Sequence, residues 1–283
     1  MLSRKNSIDL EITYNKDKNH DDKSAKEPKR TSGFNANKKS ISKKQSTEKK
    51  TTVNKQPKQR NLLKPGEMFL LFTSRQFTIF DEVELRPENK LGITRYMRRR
   101  LQLHAVSDIS RTGIIIPNRI SYPINTSQWE IDYKDLRSPY LRYMIATAYS
   151  MEAISLEEAI PGNILIIGLG GGAMNNYLRH QTKNINTTVV EIDPLYLDIA
   201  TKYFGFIEDD RQRCIIKDGA VYIKESVERG EKFHVVVIDA SYSDITYTLC
   251  PCEIFFNESV AAYLPKIIET TGELFRFLSK LNE

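Results

Sequence analysis

Cysteine, tryptophan and histidine are scarce in this chain, which has three cysteines, one tryptophan and four histidines in 283 residues. An odd and small number of cysteines is typical of a reducing compartment rather than of a disulfide framework. Cys250-Pro251-Cys252 has the spacing of a close metal-binding pair, but no second pair accompanies it and histidines are few. The sequence therefore does not favour a zinc site.

Long apolar runs are also missing. The chain has no stretch of eighteen apolar residues, so the sequence predicts no membrane span. Residues 1–10 lack the apolar centre of a secretory signal, and Asp9 and Glu11 argue against an organelle transit peptide. We therefore expect a cytoplasmic protein, with the nucleus as the alternative compartment.

Acidic residues are few in the first sixty positions, which hold 17 Lys/Arg against 7 Asp/Glu, whereas the remainder holds 25 against 29. This segment contains only two aromatic residues, Tyr14 and Phe34. The small apolar surface of this segment cannot offset the entropy that it would lose on folding. We therefore predict a disordered basic tail over residues 1–60. Contact of this tail with nucleic acid and a nuclear signal near Lys38 and Lys43 are hypotheses, and a solvated tail without a specific role is the alternative.

Short β-type runs follow the tail. They lie at residues 68–72, 77–80, 101–106 and 113–116, between turn residues, and they predict a small β-rich domain over residues 61–135. Two interpretations are open for the basic cluster inside this region: an exposed edge strand whose charge discourages pairing, or a docking surface for an acidic partner. The cluster consists of Arg95, Arg98, Arg99 and Arg100.

Glycine is concentrated at one point, where it fills four of the five positions from Gly168 to Gly172. The β-branched run at residues 163–167 precedes these glycines, and a helix-compatible segment and a second β-branched run that ends in Glu191 follow. The order predicts a strand, a glycine loop, a helix and a strand with an acid at its end. Glycines let backbone N–H groups approach a ligand, and an acid at this place can accept hydrogen bonds from ribose hydroxyls. We therefore predict a site for an adenosine-containing cofactor.

Two further predicted strands end in acids. Residues 214–216 precede Asp218, and residues 233–238 precede Asp239. The carboxyl ends of parallel strands meet at one edge of the sheet, which is where ligands bind in open α/β sheets. S-adenosylmethionine requires a glycine loop, an acid for the ribose and an acid or amide near the adenine amine, and Asp218 meets the third requirement. A dinucleotide is less favoured, because Ala173 occupies the place of the third glycine in its fingerprint.

Structural roles are the alternatives for these residues. The glycines can form a tight turn without a ligand, and Asp218-Gly219 is an ordinary turn dipeptide. Asp193 precedes Pro194 and is therefore well placed to cap the next helix. We assign the cap to Asp193 and the ribose contact to Glu191.

Residues 190–206, with Asp210-Arg211 and residues 217–223, resemble the spermidine synthase-like branch of class I methyltransferases. The Gly-Leu-Gly-Gly-Gly loop, Tyr-Phe-Gly-Phe and Leu249-Cys-Pro251 resemble in particular the methyltransferase-like proteins whose relatives methylate translation elongation factor 1-alpha on a lysine and at its N-terminus. The resemblance covers residues 136–264. It implies an α/β fold with a Rossmann-like class I methyltransferase domain over residues 136–283, preceded by the β-rich domain and the tail.

The resemblance also implies roles for the residues at the strand ends. The loop would hold the methionine part of S-adenosylmethionine, Glu191 would bind the ribose with Ile192 beside it, and Asp218 with Gly219 would contact the adenine. Asp239 would bind or deprotonate the attacking amine, as a carboxylate near a nitrogen nucleophile can do. The loop residues so assigned are Gly168, Gly170, Gly171 and Gly172.

A helix is predicted over residues 136–154, because apolar residues recur on one face, namely Leu141, Met144, Ile145, Ala148 and Met151. The resemblance places this helix over the cofactor, so that Tyr140 or Tyr143 would contact it. Apolar neighbours favour simple core packing for both tyrosines instead.

The chain departs from polyamine synthases, which carry an acid inside the glycine loop where this chain has Ala173 and Met174. Their loop after the fourth strand contains an Asp-Pro step, whereas Asp244 here is not followed by proline. Only 44 residues follow Asp239, enough for a helix over residues 258–268 and a strand over residues 272–278. We therefore expect a sheet truncated at the C-terminus.

The sequence favours S-adenosylmethionine-dependent methyl transfer to a protein amine, with a translation factor as one candidate substrate. Two alternatives stay open: a non-catalytic methyltransferase-like binding protein, which the short C-terminus would suit, and a polyamine-type aminopropyltransferase. A dehydrogenase is least favoured, because no nicotinamide-side motif is present. An exposed sheet edge would also allow a homodimer.

Overall fold

The computed structural model describes residues 7–14, 63–88, 92–103, 108–241 and 248–281. Two sheets make up this part of the chain, and the elements that form and cover them belong to one compact unit. Most of the predicted tail lies outside the described residues, and so does Asp244. The predicted domain boundary between residues 135 and 136 stays a prediction.

The strands, in chain order, are β1 (Ser7–Tyr14), β2 (Met68–Thr73), β3 (Phe77–Glu88), β4 (Gly92–Leu103), β5 (Asp108–Ile114), β6 (Ile131–Asp132), β7 (Gly162–Ile167), β8 (Ile185–Glu191), β9 (Gln212–Ile216), β10 (Phe233–Ile238), β11 (Thr248–Cys250) and β12 (Ile268–Leu281). The helices are α1 (Pro139–Ser150), α2 (Ala173–Gln181), α3 (Pro194–Phe204), α4 (Gly219–Glu228), α5 (Glu258–Ala261) and α6 (Leu264–Ile267). None of these helices has the length and apolar composition needed to cross a membrane.

The first sheet has the strand order β1-β12-β10-β7-β8-β9, and all of these pairs are parallel. The short strand β11 pairs with β12 in the antiparallel sense. Ile167 at the end of β7 lies opposite Ile238 of β10 and Val190 of β8. The carboxyl ends of the central strands are thus level with one another, and the predicted α/β fold with a parallel sheet is confirmed.

Helices cover both faces of this parallel sheet, as the near-continuous apolar runs of its strands require. Successive side chains of a strand point to opposite faces. In β7, Ile164 and Ile166 join the apolar cluster formed with α1 and α2, whereas Leu165 and Ile167 join the cluster formed with α4, α5 and α6. Two packed layers of side chains therefore hold the strand ends in place.

The second sheet is antiparallel, in the order β2-β3-β4-β5-β6. One face packs on α3, where Ile79 and Leu101 contact Ile199 and Phe204. The basic cluster lies on β4, which is an interior strand, so its interpretation as an exposed edge is wrong. Arg99, which the sequence pattern predicts to be exposed, is buried against Asp81 of β3. Its burial is possible because this carboxylate on the neighbouring strand compensates its charge.

The two arginines next to Arg99 in sequence lie on the opposite face of the sheet, and each of them also pairs with a carboxylate. Arg98 pairs with Glu84, and Arg100 pairs with Glu82 and Asp108. These ion pairs lie within the sheet. The observed contacts therefore do not support the alternative of a basic docking surface for an acidic partner.

β1 is a correction to the predicted tail. It pairs in parallel with β12, from Ser7 opposite Leu274 to Tyr14 opposite Leu281, so the prediction of disorder over residues 1–60 is wrong for residues 7–14. Apolar residues alternate with polar ones from Ile8 to Tyr14, which is the pattern of a strand. The basic composition averaged over sixty residues concealed this short signal.

The helix boundaries differ modestly from prediction. α1 lies inside the predicted span of residues 136–154. The helix predicted over residues 258–268 is divided into α5 and α6, because Pro265 has no N–H group to donate to the carbonyl four residues earlier, at the end of α5. β12 begins directly after α6, four residues earlier than predicted. The expected truncation of the sheet stays a prediction.

Candidate functional site

Backbone hydrogen bonds join the strand ends that the sequence assigned to the site. The Gly168 N–H donates to the Val190 carbonyl at 2.8 Å, and the Asp239 N–H donates to the Ile167 carbonyl at 2.9 Å. The Lys217 N–H donates to the Glu191 carbonyl at 2.9 Å. The glycine loop, Glu191 and Asp239 are therefore brought to one edge of the parallel sheet, next to the segment that contains Asp218.

The glycine loop has structural reasons for its composition. A Cβ atom on Gly168 would lie 2.4 Å from the Asp239 carbonyl oxygen, and one on Gly171 would lie 2.6 Å from Ser110 Oγ of β5. Gly170 and Gly172 have φ values of 52° and 71°, in the left-handed region. Close packing and backbone conformation thus account for part of this motif without any ligand.

The same loop also carries N–H groups that have no acceptor among the described residues. Among the described residues, no acceptor lies within hydrogen-bond range of the Gly170 and Gly171 N–H groups. The loop leads into α2, whose N-cap residue Gly172 has no side chain to cap the first turn. Free N–H groups at the start of a helix favour a bound anion such as a carboxylate.

Glu191 connects two segments at the sheet edge. Its side chain is 7% exposed; Oε2 accepts from the Leu169 N–H at 2.9 Å, and Oε1 accepts from the Asp193 N–H at 3.0 Å. Each carboxylate oxygen has a second lone pair and can accept one more hydrogen bond. Asp193 accepts from the Leu195 N–H at 2.9 Å, which confirms that it caps α3.

Asp218 caps α4, a structural role that was not predicted from the sequence. Its Oδ1 accepts from the N–H groups of Ala220 at 2.7 Å and Val221 at 3.2 Å. No donor in the described part of the chain lies within hydrogen-bond range of its Oδ2. Gly219 is needed for packing, because a Cβ atom there would lie 2.4 Å from Ile167 Cγ2.

Apolar surface is exposed beside these acids. Ile192, which follows Glu191, is 67% exposed. Ile216 lies opposite Glu191 in the register of β8 and β9 and is also exposed. An exposed isoleucine next to a carboxylate suits a ligand with a flat apolar ring and polar hydroxyls.

Asp239 is the most perturbed acid of the site. The Tyr140 hydroxyl donates to its Oδ2 at 2.9 Å, and the Cys250 thiol donates to its Oδ1 at 3.5 Å. Burial raises the pKa of Asp239 to about 6, although both hydrogen bonds oppose the rise. Burial and the neighbouring carboxylate raise the pKa of Cys250, so the thiol keeps its proton.

The contact between Cys250 and Asp239 had no signal in the sequence beyond the resemblance of the segment around Pro251. Tyr140 was interpreted as a cofactor contact or a core residue, and its hydrogen bond to Asp239 was not predicted. The packing of β5 against the glycine loop, through Ile109 and Ser110, was missed as well. These contacts depend on tertiary structure that no local pattern describes.

A groove of about 800 Å³ lies along α3. None of the predicted site residues lines it, so it is separate from the acids and the glycine loop. It is lined by Leu197, Asp198, Thr201, Lys202, Phe206, Ile207 and Glu208.

Comparison with known proteins yields relatives but no match to a protein-family model. The chain is 25% identical over 206 residues to the eEF1A lysine and N-terminal methyltransferase of Xenopus laevis, which covers 72% of this chain and 28% of the relative. It is 35% identical over 107 residues to the polyamine aminopropyltransferase of Vibrio vulnificus, which covers 38% and 33% of the two chains. Human methyltransferase-like protein 13, solved in complex with SAH, is 29% identical with a TM-score of 0.44, covering 48% of this chain and 62% of that one.

These relatives confirm the resemblance to spermidine synthase-like class I methyltransferases that the sequence predicts. The chain spans about a third or less of the length of the two curated relatives just described.

Proposed function

We propose that the chain is an S-adenosylmethionine-dependent methyltransferase that acts on a protein amine, either a lysine or an N-terminus. The observation that carries this proposal is the placement of Glu191. This residue ends β8, and its carboxylate accepts a hydrogen bond from the Leu169 N–H inside the glycine loop, which follows the adjacent strand β7. A loop with free N–H groups and a ribose-binding acid are thereby connected at one sheet edge. The methyltransferases among the relatives support the proposal.

The residues present fit the cofactor. The Gly170 and Gly171 N–H groups suit the carboxylate of its methionine part, and the remaining lone pairs of Glu191 suit the ribose hydroxyls. Asp218 Oδ2 is suited to the adenine amine, and the exposed side chain of Ile192 suits the adenine face. We assign Gly168, Gly172 and Gly219 to the backbone geometry that allows these contacts.

The reaction requires an unprotonated nitrogen near the methyl group. When bound, S-adenosylmethionine supplies a methyl group on a positively charged sulfur, which is already an activated leaving group. Asp239 is ionised at neutral pH, since its pKa is about 6, and its carboxylate can accept a proton from the acceptor ammonium. We therefore assign the catalytic role to Asp239.

The substrate class follows from the relatives rather than from the site. The Xenopus laevis relative is named for methylation of eEF1A, a translation factor, on a lysine and at the N-terminus. A translation factor is accordingly our candidate substrate, with the cytoplasm as the compartment. Homodimerisation and nucleic-acid contact by the basic tail stay predictions.

Calorimetric titration of the cofactor into the Glu191→Ala variant tests the proposal. Loss of two hydrogen bonds to a charged group, each worth about 1.5–3 kcal/mol, should weaken binding at least about a hundredfold. Glu228→Ala, an exposed position at the end of α4, is the matched control and should bind as the unmodified chain does. Thermal unfolding of both variants shows whether loss of the Glu191 carboxylate has destabilised the fold. Unchanged affinity in folded Glu191→Ala would refute the ribose assignment.

Methyl transfer itself is tested with labelled S-adenosylmethionine in a cell lysate, where we expect a labelled protein band. The sequence similarity to an aminopropyltransferase favours a second candidate function, so decarboxylated S-adenosylmethionine with putrescine is assayed in parallel. Turnover in the second assay alone would establish aminopropyl transfer. Cofactor binding without turnover in either assay would favour a non-catalytic binding protein.

A further inference from the structure

Two side chains from different elements contact the two oxygens of Asp239. Tyr140 belongs to the first turn of α1 and donates to Oδ2 at 2.9 Å. Cys250 belongs to β11 and donates to Oδ1 at 3.5 Å, within the longer range of a sulfur donor. Nothing in the reaction proposed above uses either residue.

We infer that Tyr140 and Cys250 are positioning residues that fix the plane of the Asp239 carboxylate so that it faces the acceptor amine. This inference rests on the proposed function. An aspartate carboxylate otherwise turns broadly about its last side-chain bond. A donor on each oxygen restricts that rotation, as supporting hydrogen bonds do for other catalytic groups.

The two donors are themselves held by packing. α1 places Leu141 and Met144 in the apolar cluster that covers Ile166 and Val237, so the position of Tyr140 is tied to the strands that carry the site. Cys250 is 4% exposed. The Cys252 N–H donates to the Ala240 carbonyl at 2.9 Å, which ties the segment after β11 to the residue following Asp239.

The described residues around Asp239 include no cation. Among the described residues, no Lys, Arg or His side chain lies within ion-pair distance of it, and the titratable groups that face it are Tyr140 from α1 and Cys250 from β11. Its neighbours at the ends of β7 and β10 are Ile167 and Ile238, which are apolar. Two uncharged donors therefore orient the carboxylate without neutralising it, so it keeps its capacity to accept a proton.

The proton and electron balance of the assigned step is simple. The acceptor ammonium gives one proton to a carboxylate oxygen of Asp239, and the N–H electron pair becomes the nitrogen lone pair. That lone pair forms the new C–N bond while the C–S bond of the cofactor breaks and its electron pair stays on sulfur. The Tyr140 and Cys250 protons remain on their own atoms throughout.

Infrared titration measures the effect without any substrate. The carbonyl band of protonated Asp239 is identified as the band missing in Asp239→Asn, and it is followed between about pH 4 and pH 9. Tyr140→Phe removes only the hydroxyl, so the carboxylate loses a stabilising donor and the Asp239 pKa should rise by roughly one unit. Cys250→Ala should raise the pKa by less, and Cys250→Ser, which keeps a donor, should restore it. Tyr143→Phe on the same helix is the control, because the exposed Tyr143 makes no hydrogen bond to Asp239.

Enzyme kinetics supply the second readout. In Tyr140→Phe, kcat at neutral pH should fall roughly tenfold, the acidic limb of the pH profile should move to higher pH, and the cofactor affinity should stay unchanged. An Asp239 pKa that is the same in Tyr140→Phe and Cys250→Ala as in the unmodified chain would overturn the inference. So would an unaltered pH profile in both variants.

Failure of the proposed function gives a different result. A chain that transfers no methyl group would still show the shifted Asp239 band, so the infrared readout tests the contacts and the turnover assay tests the reaction. If Tyr140→Phe does not fold, the pair Cys250→Ala and Cys250→Ser still decides the question, since only the alanine variant loses the donor. Shifted bands without methyl transfer would overturn the catalytic role of the contacts and leave their geometry established.

Discussion

The two sheets place Asp81 and Asp239 in opposite electrostatic environments. In the antiparallel sheet, Asp81 is fully buried and receives Nε and Nη2 of Arg99 at 2.8 and 2.9 Å. Arg99 also donates to the carbonyls of Tyr203 and Thr126, so its charge is fully engaged. In the parallel sheet, Asp239 has a phenol and a thiol as partners and no cation among the described residues.

The difference separates a structural carboxylate from a reactive one. A buried ion pair with all its hydrogen bonds made has no free capacity for chemistry, and it mainly specifies how two elements meet. A carboxylate buried without a counter-ion has a raised pKa, and such groups are concentrated at functional sites. The antiparallel sheet thus joins α3 through Arg99, whereas the parallel sheet presents Asp239 at its edge.

Breaking the compensated pair should have the largest effect. Arg99→Leu leaves Asp81 buried and unpaired, so the free energy of unfolding should fall by about 3–5 kcal/mol, measured by urea unfolding. Lys183→Ala is the control, because the side chains of Lys183 and Glu158 are 77% and 64% exposed and such pairs contribute at most about 1 kcal/mol. Replacing Asp81 and Arg99 together with leucines should recover much of the loss. If the free energy of unfolding of Arg99→Leu alone were within about 1 kcal/mol of that of the unmodified chain, water would have to reach Asp81.

The glycine loop beside Asp239 should be the next most sensitive point. Gly168→Ala should lower the free energy of unfolding for two reasons. Overpacking against the Asp239 carbonyl costs about 1–3 kcal/mol, and a side chain at the positive φ of 99° costs about 1 kcal/mol. We expect a loss of about 2–4 kcal/mol in urea unfolding. Gly230→Ala separates the two causes, because Gly230 has a φ of 68° and open space around it, so it should lose only about 1 kcal/mol. Equal losses in the two variants would show that the strand ends are farther apart than described.

The pH dependence of stability should show the smallest effect. The pKa of Asp239 is raised to about 6 in the folded chain, so the folded state binds the proton more tightly than the unfolded state does. The resulting stability is present below the ordinary aspartate pKa of about 3.9 and is lost as pH rises through about 6. Between about pH 4 and pH 7 the unmodified chain should therefore lose about 2 kcal/mol relative to Asp239→Asn, measured by paired urea titrations. A difference that changes in the opposite direction would reveal a cation near Asp239.

Part of the fold and of the site was predictable because the signals are local. The β-branched runs before Gly168 and up to Glu191 predicted two strands, and the glycines predicted a loop after the first of them. The cap by Asp193 was predictable for the same reason, since Pro194 follows it directly. The helix over residues 258–268 was predicted too long, because the effect of Pro265 was not weighed against the apolar run.

The charged residues of β4 were beyond local reasoning. Arg99 resembles its neighbours in sequence, yet it alone of the four arginines is buried, because Asp81 lies opposite it in the register of β3 and β4. The pairing of β1 with β12 likewise joins the two ends of the chain. A sequence pattern states that a strand exists, but not which strand it meets.

The sequence by itself determined the type of site: glycines and acids at the ends of parallel strands, placed there by the alternation and spacing of residues close together in the chain. The tertiary structure alone decided which charges are compensated. It brings Arg99 to Asp81 and Tyr140 to Asp239, over separations of 18 and 99 positions. The physical reason is that the protonation and reactivity of a carboxylate depend on the groups within a few ångströms of it, and folding rather than sequence proximity selects those groups.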